Sequence, residues 1–144
     1  MVSKVSIEGG ASVRLSEKFL SRPSISPDGK LVACAYTDEQ HPELPQRLAI
    51  VSSDQGEIVR VLNTATNDYP MYGWTPDGSA VMYIRTRDGI SNIYRQPLDG
   101  GPPKPVTDFN SERIFQFAWS PDGKNVVCAR GVETSDVVLI SNLR

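Results

Sequence analysis

Histidine and cysteine are scarce: one and two in 144 residues, too few for a tetrahedral zinc site built from those ligands. His41 lies in "DEQHPELPQ", a polar, proline-flanked stretch, and is expected to be a solvated loop residue. Cys34 and Cys128 lie in "LVACAY" and "NVVCAR", each seven residues past the proline of a Pro-Asp-Gly triplet. Equivalent positions in separate repeats belong to separate sheets, so two buried, reduced thiols are expected rather than a disulfide. Basic charge is not in excess either. Lys and Arg total 15 against 17 Asp and Glu, a net charge of −2 that gives no field for nucleic acid. No apolar run approaches the ~20 residues of a membrane span, so no membrane contact by this chain is expected. The opening "MVSKVSIEGG" has no signal-peptide core. The compartment stays open: cytoplasmic for the chain as it stands, periplasmic as part of an exported parent.

Catalytic motifs are missing as well. "GASVR" (Gly10–Arg14) does not have the second glycine of a nucleophile elbow, and "RTRDGISN" (Arg85–Asn92) offers one carboxylate where a calcium loop needs several. "RTRDG" reads instead as a hairpin turn, because Asp-Gly favours one. No phosphate-cradling loop occurs. The expectation is a chain without catalytic residue, cofactor or metal.

What the sequence does have is repetition. "SPDGK" (Ser26–Lys30), "TPDGS" (Thr75–Ser79) and "SPDGK" (Ser120–Lys124) place prolines at 27, 76 and 121, spaced 49 and 45 residues apart. A second marker runs in phase: "IEGGASVRLSE" (Ile7–Glu17) aligns with "LDGGPPKPVTD" (Leu98–Asp108), with a degenerate copy at "SDQGEIVRVLN" (Ser53–Asn63). Between the markers the pattern is β. A strand precedes each triplet ("RPSIS", "MYGWT", "FQFAWS") and another follows it ("KLVACAYT", "SAVMYIRT", "KNVVCAR"). A third comes at "RLAIVSS", "SNIYRQPL" and "SDVVLIS", and a fourth at "SVRLS", "EIVRVLN" and "KPVTD". No helical stripe of useful length is present.

Turn chemistry accounts for the triplets. Proline presets φ at the first corner of a type I turn, aspartate suits the second, and glycine takes the left-handed position. The Ser or Thr ahead can bond the turn backbone. Pro27, Asp28, Gly29, Pro76, Asp77, Gly78, Pro121, Asp122 and Gly123 are therefore assigned to structure. The residues two before each proline, Ile25, Trp74 and Trp119, are expected to pack between neighbouring sheets.

Four antiparallel strands repeating every 45 residues or so predict an all-β fold, a β-propeller of four-stranded blades. At these residues the chain resembles the TolB-like, WD40-like propeller repeats of bacteria. The expected division is outer strands of a preceding blade at 1–16, blades at 17–63 and 64–108, and a blade without its outer strand at 109–144. Three blades are few for a closed ring. The first expectation is therefore the C-terminal part of a longer propeller; the alternative is two copies assembled head to tail into a six-bladed ring. "TSDVVLISNLR" (Thr134–Arg144) is similar to the closing segment of propellers attached behind bacterial serine/threonine kinase domains of acidobacterial type. That resemblance implies a kinase parent, although no kinase motif stands in this chain. Similar propellers also serve prolyl oligopeptidase-type serine hydrolases, which gives a second implied parent.

Function is then expected on the surface, as a non-catalytic interaction or sensing module. The segments joining the fourth strand of one blade to the first of the next should gather on one face. They carry Phe19, Arg22, Asn67, Asp68, Tyr69, Tyr72, Phe109, Asn110 and Arg113, aromatics and arginine interleaved with amides, as contact residues for a protein or small ligand. Open blade edges make a homo-oligomer a further expectation.

Overall fold

In the computed structural model, residues 2–64, 71–120 and 122–134 are described. Twelve strands are assigned among them and no helix. β1 (Ser3–Lys4) and β2 (Val13–Arg14) form a two-stranded sheet. β3 (Leu20–Ile25), β4 (Leu31–Tyr36), β5 (Arg47–Ser52) and β6 (Ile58–Leu62) form a four-stranded antiparallel meander. β7 (Tyr72–Trp74), β8 (Ala80–Arg87), β9 (Ile90–Pro97) and β10 (Lys104–Pro105) repeat it. β11 (Arg113–Trp119) and β12 (Val126–Gly131) form the last sheet. The stretch "SDVVLIS" and Asn67, Asp68, Tyr69 and Pro121 lie outside the described residues.

The core lies between the sheets. Along β4 and β5 the period of two sends Val32, Cys34, Ala49 and Val51 to one face, where they meet Val2 and Leu15 from the β1–β2 segment. Ala33, Leu48 and Ile50 go to the other face, with Leu62, and meet Trp74 and Val81 of the next sheet. Met82, Ile84 and Ile93 in turn meet Ile114 and Phe117 of β11. The β3–β6 and β7–β10 sheets are thus apolar on both faces. Burying each such Val, Leu or Ile contributes about 1.5–3 kcal/mol, which holds the stack together.

Trp74, only 7 % exposed, donates its indole N–H to the Ser24 carbonyl of the preceding sheet at 2.8 Å. Trp119 occupies the equivalent place against the β7–β10 sheet, half-buried. Ile25 departs from the expectation: it is 61 % exposed. The cause lies in what precedes it. Trp74 and Trp119 each face the first strand of a preceding sheet, whereas the sheet before β3 has only β1 and β2 among the described residues, and these cover the outer part of the face.

Two close approaches fix how the segments dock. A Cβ at Gly56 would overlap the Leu15 carbonyl, so only glycine lets the β1–β2 segment seat on the β5–β6 turn. At Gly73 a Cβ would lie 2.9 Å from the Phe117 ring, so glycine in β7 leaves room for the β11 aromatic.

Candidate functional site

In an antiparallel meander successive connections alternate between two ends of the sheet, so the four-stranded repeats have a turn end and a loop end. The Pro-Asp-Gly triplets build the turn end. The Ser26 hydroxyl donates to the Asp28 carboxylate at 2.6 Å and accepts the Leu31 N–H at 2.9 Å. The same carboxylate accepts the Lys30 N–H at 3.1 Å, and Gly29 N–H closes the turn onto the Ser26 carbonyl at 2.9 Å. Thr75, Asp77, Ser79 and Ala80 repeat these bonds, as do Ser120, Asp122, Lys124 and Asn125. Gly29, Gly78 and Gly123 have φ of 73°, 68° and 68°, the left-handed position the turn requires. Turn stacks on turn between sheets: a Cβ built on Gly123 would lie 2.8 Å from Cγ of Pro76.

Donated hydrogen bonds set the acidity of these carboxyls. Asp77 is held down at about 2 by the Thr75 hydroxyl first and then by the Ser79 N–H. Asp28 and Asp122 are lowered by the Ser26 and Ser120 hydroxyls and by the N–H groups of Lys30 and Lys124. All three are ionised acceptors in a closed local network, which is the chemistry of a turn.

The loop end is more open. Phe19 is 56 % exposed; its N–H donates to the Glu39 carboxylate at 3.1 Å, tying it to the β4–β5 loop. Arg22 is exposed and sits at φ 54°, inside the register shift of β3 between Ser21 and Ser24. Tyr72 is half-buried and packs against the cluster of Leu48, Ile50 and Trp74. Phe109 packs beside Ile114 with the Arg130 guanidinium 3.6 Å from its ring centre. Asn110 is exposed. Arg113 pairs with Glu133 at 3.0 Å. Phe109, Asn110 and Arg113 thus share the segment between the β7–β10 and β11–β12 sheets; Phe19 and Arg22 stand apart on the β3–β6 sheet.

An open cleft of about 530 Å³ lies at that segment, lined by Asp88, Ile90, Glu112, Arg113, Val132 and Glu133 among others. Its walls come from local turn chemistry. Asp88 and Gly89 both have positive φ, 52° and 79°, the type I′ turn that joins β8 to β9. Asn92, which lines a smaller adjoining cavity with Asp88 and Ile90, anchors Phe109: its side chain donates to the Phe109 carbonyl at 3.0 Å and accepts the Phe109 N–H at 2.7 Å. Arg130 donates to the Ser111 carbonyl at 2.8 Å and pairs with Glu112 at 3.4 Å. The sequence reading named Arg113 here but not Asp88, Asn92, Glu112 or Arg130. Only the Asp-Gly dipeptide carried a signal, and it signalled a turn.

The groups with chemical potential lie elsewhere. His41 is on the surface, 3.3 Å from Glu43. Cys34 and Cys128 are free, and burial pushes the Cys34 thiol up to about 11, an inert state. Among the described residues no three His, Cys, Asp or Glu side chains are grouped as metal ligands would be.

The sheets, their face-to-face packing and the repeated turns define a partial β-propeller. No family model matches the chain. It is 25% identical to the TolB-type protein of Agrobacterium tumefaciens, whose solved structure it matches with a TM-score of 0.68 over 88% of this chain and 45% of that one. A prolyl endopeptidase shares the fold, with a TM-score of 0.56 and 23% identity over 77% of this chain and 18% of that one. Tricorn protease homolog 1 of Streptomyces coelicolor is 38% identical over 99 residues, 68% of this chain but 8% of that protein. The particular kind of propeller is therefore TolB-like, and the chain spans less than half the length of each of these proteins.

Proposed function

We propose that the chain is a non-catalytic propeller segment whose loop end binds a protein partner. The cleft at Asp88, Glu112, Arg113 and Glu133 carries this reading. It is open and rimmed with charge of both signs, a surface that suits a polar polypeptide better than an enclosed small ligand. Exposed Phe19 adds an aromatic contact on the neighbouring sheet.

The setting is a larger protein in which another domain does the chemistry. Likeness to a named protease homolog favours a peptidase parent, with the propeller as an accessory to a hydrolase domain. A kinase parent rests on the similarity of Thr134–Arg144 alone. The test is crosslinking capture from native extract with wild-type chain and with a Phe19→Ala, Arg113→Ala variant. Arg113 makes an exposed ion pair, worth about 0–1 kcal/mol, so the melting temperature should barely move. Capture lost in the variant supports the loop end as the binding surface; equal capture by both chains removes it.

A further inference from the structure

Five Asp-Gly pairs stand in the sequence: Asp28–Gly29, Asp77–Gly78, Asp88–Gly89, Asp99–Gly100 and Asp122–Gly123. Such a pair is open to ring closure, because glycine puts no side chain beside its attacking nitrogen. The reaction needs two free groups, the aspartate carboxyl as electrophile and the following N–H as nucleophile.

Four of the five pairs have both groups engaged. The Gly29, Gly78 and Gly123 N–H groups donate to the carbonyls of Ser26, Thr75 and Ser120 at 2.9, 2.8 and 2.9 Å, and the Gly100 N–H to that of Pro97 at 3.3 Å. On the carboxyl side, Asp28, Asp77 and Asp122 each accept a hydroxyl and the N–H two residues on. Those bonds hold the three carboxyls below their ordinary range, and so in the ionised form, which does not lose water readily. The Asp99 carboxylate accepts the Gly101 N–H at 2.8 Å.

Asp88–Gly89 differs at each point. It is the two-residue tip of the β8–β9 hairpin, between the paired Arg87 and Ile90, and both residues are exposed. The Gly89 N–H has no acceptor among the described residues, because the last residue of a four-residue turn makes its closing bond. No hydrogen bond or ion pair among the described residues engages the Asp88 carboxylate. A Cβ on Gly89 would meet nothing within 4 Å, so a ring at the tip displaces no neighbour.

We propose that Asp88 is a site of spontaneous aspartate isomerisation, with water as the only co-reactant. The Gly89 nitrogen attacks Cγ of the neutral Asp88 carboxyl. The new C–N bond closes a succinimide, and the amide proton leaves with the carboxyl oxygen as water. Water then adds to either ring carbonyl. Opening at Cγ restores aspartate; opening at the α-carbonyl leaves isoaspartate, whose chain runs through Cγ with the α-carboxylate free. The product carries one extra carbon in the backbone of the tip. A two-residue type I′ turn has no place for it, so the Arg87↔Ile90 pair opens and the Asp88 wall of the loop-end cleft shifts. The inference rests on turn chemistry alone and holds whether or not the loop end binds a partner.

Trypsin puts the five pairs on separate peptides, with Asp88 on the one that ends at Arg95. The full chain is kept warm at neutral pH and sampled over time by peptide mapping. Isoaspartate is scored with an isoaspartate-specific methyltransferase and a labelled methyl donor. In the folded chain it should build up at Asp88 at least about tenfold faster than at any other pair, a factor that one or two net hydrogen bonds supply. In urea, where the protecting bonds are gone, the five rates should converge. Asp88→Asn reaches the same ring by losing ammonia and should raise the folded-state rate, whereas Asp88→Glu should abolish the signal. Comparable rates at all five folded pairs, faster formation at any of the other four, or no isoaspartate at Asp88 while the urea sample forms it, overturns the proposal.

Discussion

Trp74 and Trp119 allow the same substitution at repeat-equivalent positions that differ in one bond. The Trp74 indole N–H reaches the Ser24 carbonyl at 2.8 Å, while the Trp119 indole N–H is buried with no acceptor among the described residues. Replacing Trp74 by Phe removes a bond worth about 1 kcal/mol net and leaves a gap between two sheets worth roughly another 1–2 kcal/mol. A loss of about 2–3 kcal/mol is expected, a fall in melting temperature of about 5–10 °C for a domain of this size. Replacing Trp119 by Phe leaves a similar gap but also removes a buried donor with no acceptor among the described residues, and leaving such a donor unpaired costs about 1–3 kcal/mol. These terms offset, so Trp119→Phe should stay within about 1 kcal/mol of wild type. Urea unfolding at one protein concentration measures both, and each variant keeps one tryptophan as its fluorescence reporter. Equal losses for the two variants would refute the assigned role of the Ser24 bond.

Two further outcomes follow from the turns. Alanine at Gly29 meets nothing within 4 Å and should cost about 1–2 kcal/mol, the strain of a left-handed alanine; at Gly123 it also meets the Pro76 ring at 2.8 Å and should cost clearly more, which paired thermal melts would read. Asp77 has a folded pKa below its unfolded value, so its contribution is present above about 3.8 and lost as pH falls through about 2. Asp77→Asn should flatten the fall in melting temperature over that window, and an unchanged acid slope would contradict the hydroxyl-to-carboxylate bond.

Local chemistry made most of the fold legible. Each Pro-Asp-Gly triplet specifies its own corner, and the alternation of Val32, Ala33 and Cys34 specifies two buried faces, so strands and sheet class follow from short stretches. What stayed hidden depends on distant neighbours. Ile25 reads like Trp74 until the strands beside it are known. Gly56 looks like a worn copy of the Gly-Gly marker, yet it is the point where the Leu15 carbonyl enters. The candidate site was the least visible part. Asn92 reads as a polar position in a strand, and nothing in "ISNIY" announces that it holds both backbone groups of Phe109. Arg130 is likewise far in sequence from the ring it covers. Tyr72, chosen as a contact residue for its place on a connecting segment, packs half-buried against the cluster of Leu48 and Ile50.

The central claim is that the repeats are successive propeller sheets packed face to face in one register. The nuclear Overhauser effect from the Trp74 indole N–H tests it most directly. The account predicts a cross-peak to backbone protons of Ser24, fifty residues away on the preceding sheet. Cross-peaks confined to β7 and β8, with none to Ser24, would contradict it.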